Sequence, residues 1–249
     1  MITEAFDKQS EPVFGLRNIY GEPGDLADAC IITFSKLIAD RVLASGDCSI
    51  ITQIGACNGC IPIYLLPNSK KRVAFYLSPI GSAVASTCLL DANWLTGAKQ
   101  FVVFGSAGSL DGCATANRFV IPTYAYRDEG LSYHYAPPSD YLPIANCEAV
   151  RHIFDELRVP YTMGRTWTTD ALYRETAAQT ALRRGEGCLT VEMELAGLQA
   201  VCDFHKLNLF AFLETGDVLS ENGYDISGLW NANHSADKFQ LALKIAERV

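Results

Sequence analysis

Short apolar runs bounded by glycine, asparagine and proline fill the first part of the chain. They are rich in Val, Ile and Tyr and too short for helices, which is typical of β-strands. The pattern predicts strands over residues 30–34, 49–54, 61–66 and 72–77. Two continuous apolar runs, at 100–104 and 207–213, indicate strands that are buried on both faces of a sheet.

Helical periodicity alternates with these runs. The pattern predicts helices over residues 81–95, 146–158, 194–205 and 234–248. Strands that alternate with helices predict an α/β layered fold with a largely parallel sheet. No internal repeat and no Pro/Gly/Ser-rich linker interrupts the order, so residues 1–249 are interpreted as one domain.

Composition and charge exclude several classes of protein. The 249 residues are 49% hydrophobic and 19% charged, which is enough apolar surface for a full core and excludes a disordered chain. The formal net charge is −8, and Lys70-Lys71-Arg72 is the densest basic cluster, so nucleic acid is not an expected partner.

The expected location is the cytoplasm. No apolar run reaches the ~18 residues of a membrane helix, so no membrane partner is expected. The first residues carry acidic side chains and lack the basic-then-apolar order of a signal peptide. Nine cysteines are scattered without the spacing of a disulfide framework, which favours reduced thiols. Cys57-Asn-Gly-Cys60 has no second Cys/His pair, so we expect no metal.

Two glycine-containing loops follow predicted strands, where ligands bind in parallel sheets. Gly81 opens a helix in Ser78-Pro-Ile-Gly-Ser82, and exposed N–H groups at a helix N-terminus suit an anion. The second loop, 105–112, offers the hydroxyl of Ser106 beside glycines that permit close backbone approach. Ordinary tight turns explain both loops equally well.

The segment Val191-Glu-Met-Glu194 carries two carboxylates around Met193. In an extended stretch Glu192 and Glu194 point to the same face, an arrangement suited to a sugar cis-diol. The alternative is that a carboxylate caps the following helix through its dipole, an interpretation that applies to Glu194 and more strongly to Glu192. Asp217, at the end of the second buried run, is a candidate general acid, or else an Asx-turn residue.

Taken together, these motifs resemble the nucleoside phosphorylase superfamily, which includes purine nucleoside phosphorylases, uridine phosphorylases and methylthioadenosine/adenosylhomocysteine nucleosidases. The resemblance covers about residues 61–248, and residues 1–60 match poorly. The motifs that carry it are SPIGS (78–82), VVFGSAGSLDG (102–112), LSYHYAP (131–137), GRTWTTDALYRET (164–176), VEMELAGLQAV (191–201) and the turn at Asp217.

The resemblance implies a three-layer α/β/α sandwich around a twisted, mostly parallel mixed sheet. It also implies a homo-oligomer, a dimer, trimer or hexamer, and no cofactor other than phosphate as a co-substrate. Met193 and Glu194 would hold the ribose of a nucleoside. Ser106 and Gly81 would face the phosphate or water that attacks it.

On the base side, the resemblance places Leu172 and Tyr173 against the ring, and His134 lies in an aromatic loop within reach of a pocket. Asp217 matches the acid that protonates N7 in members that cleave purines. Base preference stays open.

The nucleophile side departs from the family pattern. The family's Gly-Asp-Pro-x-x-Arg loop is missing from residues 30–41, and Val103 stands where an arginine is usual. Lys36 or Arg41 are the candidate substitutes. The expected function is that of a nucleoside phosphorylase, which gives free base and ribose 1-phosphate. A hydrolytic nucleosidase and a nucleoside-binding protein without turnover are the alternatives.

Overall fold

The computed structural model describes residues 1–55, 59–67, 69–220 and 223–249. Within these ranges eleven strands form one hydrogen-bonded sheet. They are β1 Ala29–Thr33, β2 Ser49–Ile54, β3 Ile61–Leu65, β4 Val73–Leu77, β5 Gln100–Ser109, β6 Phe119–Asp128, β7 Tyr141–Pro143, β8 Tyr161–Thr169, β9 Cys188–Glu192, β10 Asn208–Ser220 and β11 Gly223–Asp225. Cys57, and with it the Cys57–Cys60 spacing, lies outside the described residues.

Helices separate most of the strands. They are α1 Leu16–Tyr20, α2 Lys36–Ser45, α3 Ser82–Thr96, α4 Gly112–Thr115, α5 Ser132–Tyr135, α6 Cys147–Leu157, α7 Ala177–Gly185, α8 Leu195–His205, α9 Leu229–His234 and α10 Asp237–Ala246. Two 3-10 turns cover Ile2–Glu4 and Leu172–Arg174. In the described part of the chain, no helix has the length and apolar character needed to span a bilayer.

The sheet runs in the order β11-β10-β6-β8-β9-β5-β1-β4-β3-β2, and β7 is attached to β6. Its longest ladders, β5–β10 and β6–β8, are parallel, whereas the pairings at both ends are antiparallel. Because β5 pairs with both β9 and β10, strands β5, β10, β6, β8 and β9 close into a ring. Ligand-facing loops therefore converge where this ring meets the open sheet.

Each face of the sheet is covered by helices because alternate residues of a strand point to opposite sides. In β1, Cys30 and Ile32 join the apolar cluster under α3 and α8. Ala29 and Ile31 join the other cluster, under α2, α6 and α10. The fold is thus the three-layer α/β/α sandwich that the resemblance implies.

The two strands at the centre of the ring are longer than their apolar runs. β5 continues to Ser109 because its glycine-rich end stays paired with β10. Gly108 permits this pairing, since a Cβ there would lie 2.5 Å from Leu219 Cδ1 and 2.9 Å from Val191 Cγ1. The helix predicted over 234–248 corresponds to α10, Asp237–Ala246, whereas His234 is the last residue of α9, which was not predicted.

Candidate functional site

A cavity of about 250 Å³ lies at the carboxyl ends of β5, β9 and β10. We call it the first cavity. Six residues predicted from the sequence line it: Ser106, Leu172, Glu192, Met193, Glu194 and Asp217. Residues separated by more than a hundred positions meet here because the central strands all end at this edge of the sheet.

Glu194 is buried and reaches across the first cavity to the start of α3. Its Oε1 accepts a hydrogen bond of 2.7 Å from the N–H of Gly81. Gly81 has φ of +109°, a conformation that favours glycine. The turn that directs this N–H toward Glu194 therefore requires a residue without a Cβ. Burial raises the pKa of Glu194. The Gly81 N–H, expected to face the nucleophile, is instead bonded to Glu194.

Glu192, not Glu194, caps helix α8. Its Oε2 accepts hydrogen bonds from the N–H groups of Glu194 and Leu195, at 2.8 and 2.7 Å, and its Oε1 accepts from Thr168. Glu194 makes no side-chain cap hydrogen bond, so of the two carboxylates it is Glu192 that supplies hydrogen bonds at the start of α8. Burial, and next the charge of Glu194, raise the pKa of Glu192. Glu192 borders the cavity, but its oxygens are used in holding the backbone that carries Glu194.

Asp217 enters the first cavity from β10 at a β-bulge. The pairing with β5 slips by one residue between Thr215 and Asp217, which leaves Gly216 as the extra residue. A Cβ on Gly216 would lie 2.6 Å from the Cβ of Ala232, so helix α9 packs directly on the bulge. The carboxyl of Asp217 is hydrogen-bonded to Tyr224, and burial raises its pKa.

Among the lining residues that were not predicted from the sequence are Glu175, Tyr224 and Leu229. Glu175 lies within the motif at 164–176, but the sequence assigns it no role in the site. Burial, together with the charge of Asp217, raises its pKa to about 7. Tyr224 and Leu229 follow Asp217 along the chain, in a stretch without a periodic pattern, so no local signal pointed to them.

Two predicted contacts to the base are not brought into the first cavity. Tyr173 is 96% exposed, because the 3-10 turn that directs Leu172 inward directs its neighbour to solvent. His134 is exposed on the short helix α5 and is absent from the described cavity lining. Of the three residues predicted to contact the base, Leu172 alone is among the described lining of the first cavity.

A second cavity, also of about 250 Å³, adjoins the first. Phe34, Ile80, Gly105 and Ser106 line both. Its polar groups are bonded to one another. Ser106 donates to Oδ1 of Asn233, and the hydroxyl of Ser35 lies 2.8 Å from Nδ1 of His234. Ser106 therefore stands at the junction of the two cavities, on the side expected for a nucleophile.

Lys238 is the buried cation of the second cavity. Its Nζ lies 3.4 Å from Oε2 of Glu214 and donates to the carbonyl oxygen of Ala232. Burial lowers the pKa of Lys238, whereas the charge of Glu214 opposes that shift. The ammonium charge is therefore largely offset within the protein.

The two candidate substitutes for the family's arginines lie elsewhere. Lys36 is exposed and pairs with Asp40 at 2.6 Å. Arg41 is exposed, and its Nη1 donates to the carbonyl oxygen of His234 at 3.1 Å. Neither side chain lines either cavity, and among the described lining residues there is no arginine.

The family model described as "Phosphorylase superfamily" matches residues 36–247. The match thus includes residues 36–60, which lie before the first of the motifs that carry the resemblance. It also includes every residue named above as lining the first cavity except Phe34.

Curated relatives of similar length are named for phosphorolysis. The chain is 27% identical over 209 residues to a "Purine nucleoside phosphorylase DeoD-type" of Exiguobacterium sp., which spans 81% of this chain and 86% of the relative. It is 24% identical over 207 residues to "Purine nucleoside phosphorylase DeoD-type 1" of Shewanella oneidensis, and the match covers 80% of this chain and 85% of that relative.

Solved structures with the same fold are named for nucleosidases. AMP nucleosidase from Bacteroides thetaiotaomicron has a TM-score of 0.68 at 19% identity, with 90% of this chain and 88% of that chain covered. The 5'-methylthioadenosine/S-adenosyl homocysteine nucleosidase of Campylobacter jejuni has a TM-score of 0.72 at 18% identity, with 90% and 100% covered. At these identities the likeness concerns the fold alone.

Proposed function

The chain belongs to the phosphorylase superfamily, and we propose that it cleaves the N-glycosidic bond of a purine ribonucleoside with phosphate as the attacking group. The products are then the free base and ribose 1-phosphate. One observation carries the proposal: Glu194, at the start of α8, and Asp217, on β10, line a single cavity. The names of the curated relatives support phosphate as the attacking group.

Two carboxyl groups, one beside the ribose and one beside the base, stabilise the two charges that develop in the reaction. Breaking the bond between ribose and base builds positive, oxocarbenium-like charge on the sugar and negative charge on the departing base. A carboxylate beside the ribose stabilises the first charge, and an acid beside the base neutralises the second. In a cavity closed to bulk water both effects are stronger than in solution.

On the ribose side, Glu194 accepts from the 2' and 3' hydroxyls, and Met193 packs against the sugar. The hydrogen bond from Gly81 to Oε1 fixes the carboxylate before substrate arrives. A carboxylate has about four lone-pair positions, so acceptor capacity for two hydroxyls is left.

On the base side, Asp217 donates its proton to N7 of the purine. Its raised pKa supports this task, because a donor must hold its proton close to the working pH. Leu172 and Leu229 supply apolar surface for the ring. Pyrimidines offer no N7 and gain nothing from such an acid.

On the nucleophile side, phosphate occupies the second cavity and contacts Ser106. Its affinity is low in this proposal. A phosphate dianion loses its water shell on entry, which costs several kcal/mol unless cations offset it. Lys238 is already paired with Glu214, and no described arginine lines the site.

Hydrolysis by water is the second candidate, favoured by that same lack of an arginine. Base release measured over a phosphate titration, with the sugar product identified, separates the two. We expect saturation toward the millimolar end of the usual KM range and ribose 1-phosphate as product. Free ribose at a rate independent of phosphate establishes hydrolysis instead. Tight nucleoside binding without release of base contradicts both and indicates a binding protein.

A further inference from the structure

Glu175 lines the first cavity near Asp217 and has no task in the function proposed above. It directly follows the 3-10 turn Leu172–Arg174 and is half-buried. Within the described residues it forms no hydrogen bond and no ion pair, whereas Asp217 is bonded to Tyr224. A partly buried carboxyl without a partner costs free energy, so a bound ligand is its natural partner.

The surroundings of Glu175 are acidic. Asp217 on β10 and the hydroxyl of Tyr224 on β11 face the same part of the cavity, and Glu192 and Glu194 line it further along. No lysine, arginine or histidine is among the described lining residues of the first cavity. Two neighbouring carboxyls in such a place resist being charged together, so a proton held by one of them favours the ionised form of the other.

One proton on two carboxyls presents one hydrogen-bond donor and one acceptor. The edge of a purine that carries N7 presents a matching pattern in one class of base. A 6-aminopurine offers N7 as acceptor and the 6-amino group as donor, whereas a 6-oxopurine offers two acceptors, N7 and O6. The 6-oxo edge therefore requires both carboxyls to be protonated.

We propose that Glu175 is a specificity-determining residue that accepts a hydrogen bond from the 6-amino group of the base while Asp217 faces N7. The expected substrate class is therefore 6-aminopurine ribonucleosides, preferred over 6-oxopurine ribonucleosides. The inference rests on the proposed function, because that function fixes N7 at Asp217.

The test compares three nucleosides with different groups at C6: adenosine with an amino group, inosine with an oxo group and a proton on N1, and purine riboside with hydrogen. For each, kcat/KM is measured with the unchanged protein and with Glu175→Gln. Glu11→Gln, at an exposed glutamate, is the matched control. Calorimetric binding of adenine and hypoxanthine gives a second readout that does not depend on turnover.

The unchanged protein is expected to favour adenosine over inosine. Glu175→Gln is expected to lower kcat/KM for adenosine by about 10- to 100-fold, the loss typical of a hydrogen bond to a charged group. Purine riboside is expected to change by less than about twofold, since it makes no bond to Glu175. The preference for adenosine is also expected to weaken as the pH falls below about 7, where Glu175 takes up a proton.

Equal losses with all three nucleosides, or an unchanged ratio of adenosine to inosine, overturn the inference and leave the proposed function standing. Failure of the unchanged protein to bind or cleave any of the three overturns the proposed function itself. Thermal unfolding of Glu175→Gln shows whether a general loss reflects misfolding.

Discussion

The two adjoining cavities have similar volumes but opposite electrostatic character. The first is lined by four carboxyl groups, of which Glu175 has no hydrogen-bond partner within the described residues, and its described lining holds no cation. In the second, Ser106 is bonded to Asn233, Ser35 to His234 and Lys238 to Glu214. The first cavity therefore suits a ligand rich in hydrogen-bond donors. An anion that binds in the second cavity must displace the existing hydrogen-bond and ion-pair partners of its polar side chains.

This difference explains why the structure supports the proposed base and ribose contacts in the first cavity more strongly than the proposed phosphate contacts in the second. A buried polar group without a hydrogen-bond partner indicates the chemistry of the ligand, because the free-energy cost of burying that group is offset when the ligand binds. Groups that satisfy one another carry less information about a ligand. The proposed base and ribose contacts are accordingly more specific than the proposed phosphate contacts.

The largest expected effect concerns the acid of the first cavity. Asp217→Asn keeps the shape and removes the proton donor, so purine nucleoside cleavage is expected to slow by about 10²- to 10⁴-fold. Steady-state release of base from adenosine and inosine measures it. Turnover comparable to that of the unchanged protein would leave Asp217 as a turn residue and remove the distinction between the cavities.

The next effect concerns ribose. Glu194→Gln replaces a charged acceptor, and ribonucleoside affinity is expected to fall by about 10- to 100-fold, as for loss of a charge-assisted hydrogen bond. Calorimetry with a ribonucleoside and its 2',3'-dideoxy analogue checks this. The analogue lacks the diol, so its affinity should be the same in both proteins. Equal affinity of the variant for the ribonucleoside contradicts the assignment.

A smaller effect tests the second cavity. Glu214→Gln removes the charge that offsets Lys238, so the phosphate KM is expected to fall by about threefold to tenfold, the effect of a modest gain in charge pairing. Lys238→Met in the same titration is the matched control and is expected to raise the KM. If neither change moves the phosphate KM, the second cavity is not the nucleophile side.

The smallest effect is on stability. In the folded protein the pKa of Glu175 is about 7, compared with its ordinary value of 4.5, so the folded state binds its proton more tightly. Its contribution to stability is therefore full below about pH 4.5 and is lost as the pH rises to about 7. Because the group is partly exposed, solvent screening limits this to less than about 1 kcal/mol.

Thermal unfolding as a function of pH measures this contribution. Glu175→Gln cannot ionise, so its Tm should decline less than that of the unchanged protein between those two pH values. Parallel curves for the two proteins would show that Glu175 is as well solvated as a surface carboxyl, and would weaken the contrast between the cavities.

Much of the fold was determined by the sequence alone. The apolar runs at 100–104 and 207–213 are buried strands, and the three short runs at 49–54, 61–66 and 72–77 match β2, β3 and β4 closely. A strand that is buried on both faces of a sheet needs continuous apolar residues, and such a run is visible in the local sequence. Strands β6 and β8 have mixed composition, and their place in the ring depends on pairing with distant partners.

The candidate site divides in the same way. Glu192, Met193, Glu194 and Asp217 were found because residue type and position after a strand are local properties. That Glu192 caps α8 while Glu194 crosses to Gly81 was decided by the tertiary structure, because it depends on where α3 begins relative to α8.

The contacts around Glu175 and Lys238 were likewise decided by the tertiary structure alone. Glu175 meets Asp217 because the segment after Leu172 lies beside the bulge of β10. Lys238 meets Glu214 because α10 packs on β5, which is paired with β10. The sequence around a charged residue does not predict which side chain it will contact in the folded protein. The free energy of such a group is set by its neighbours in space, and those belong to the fold.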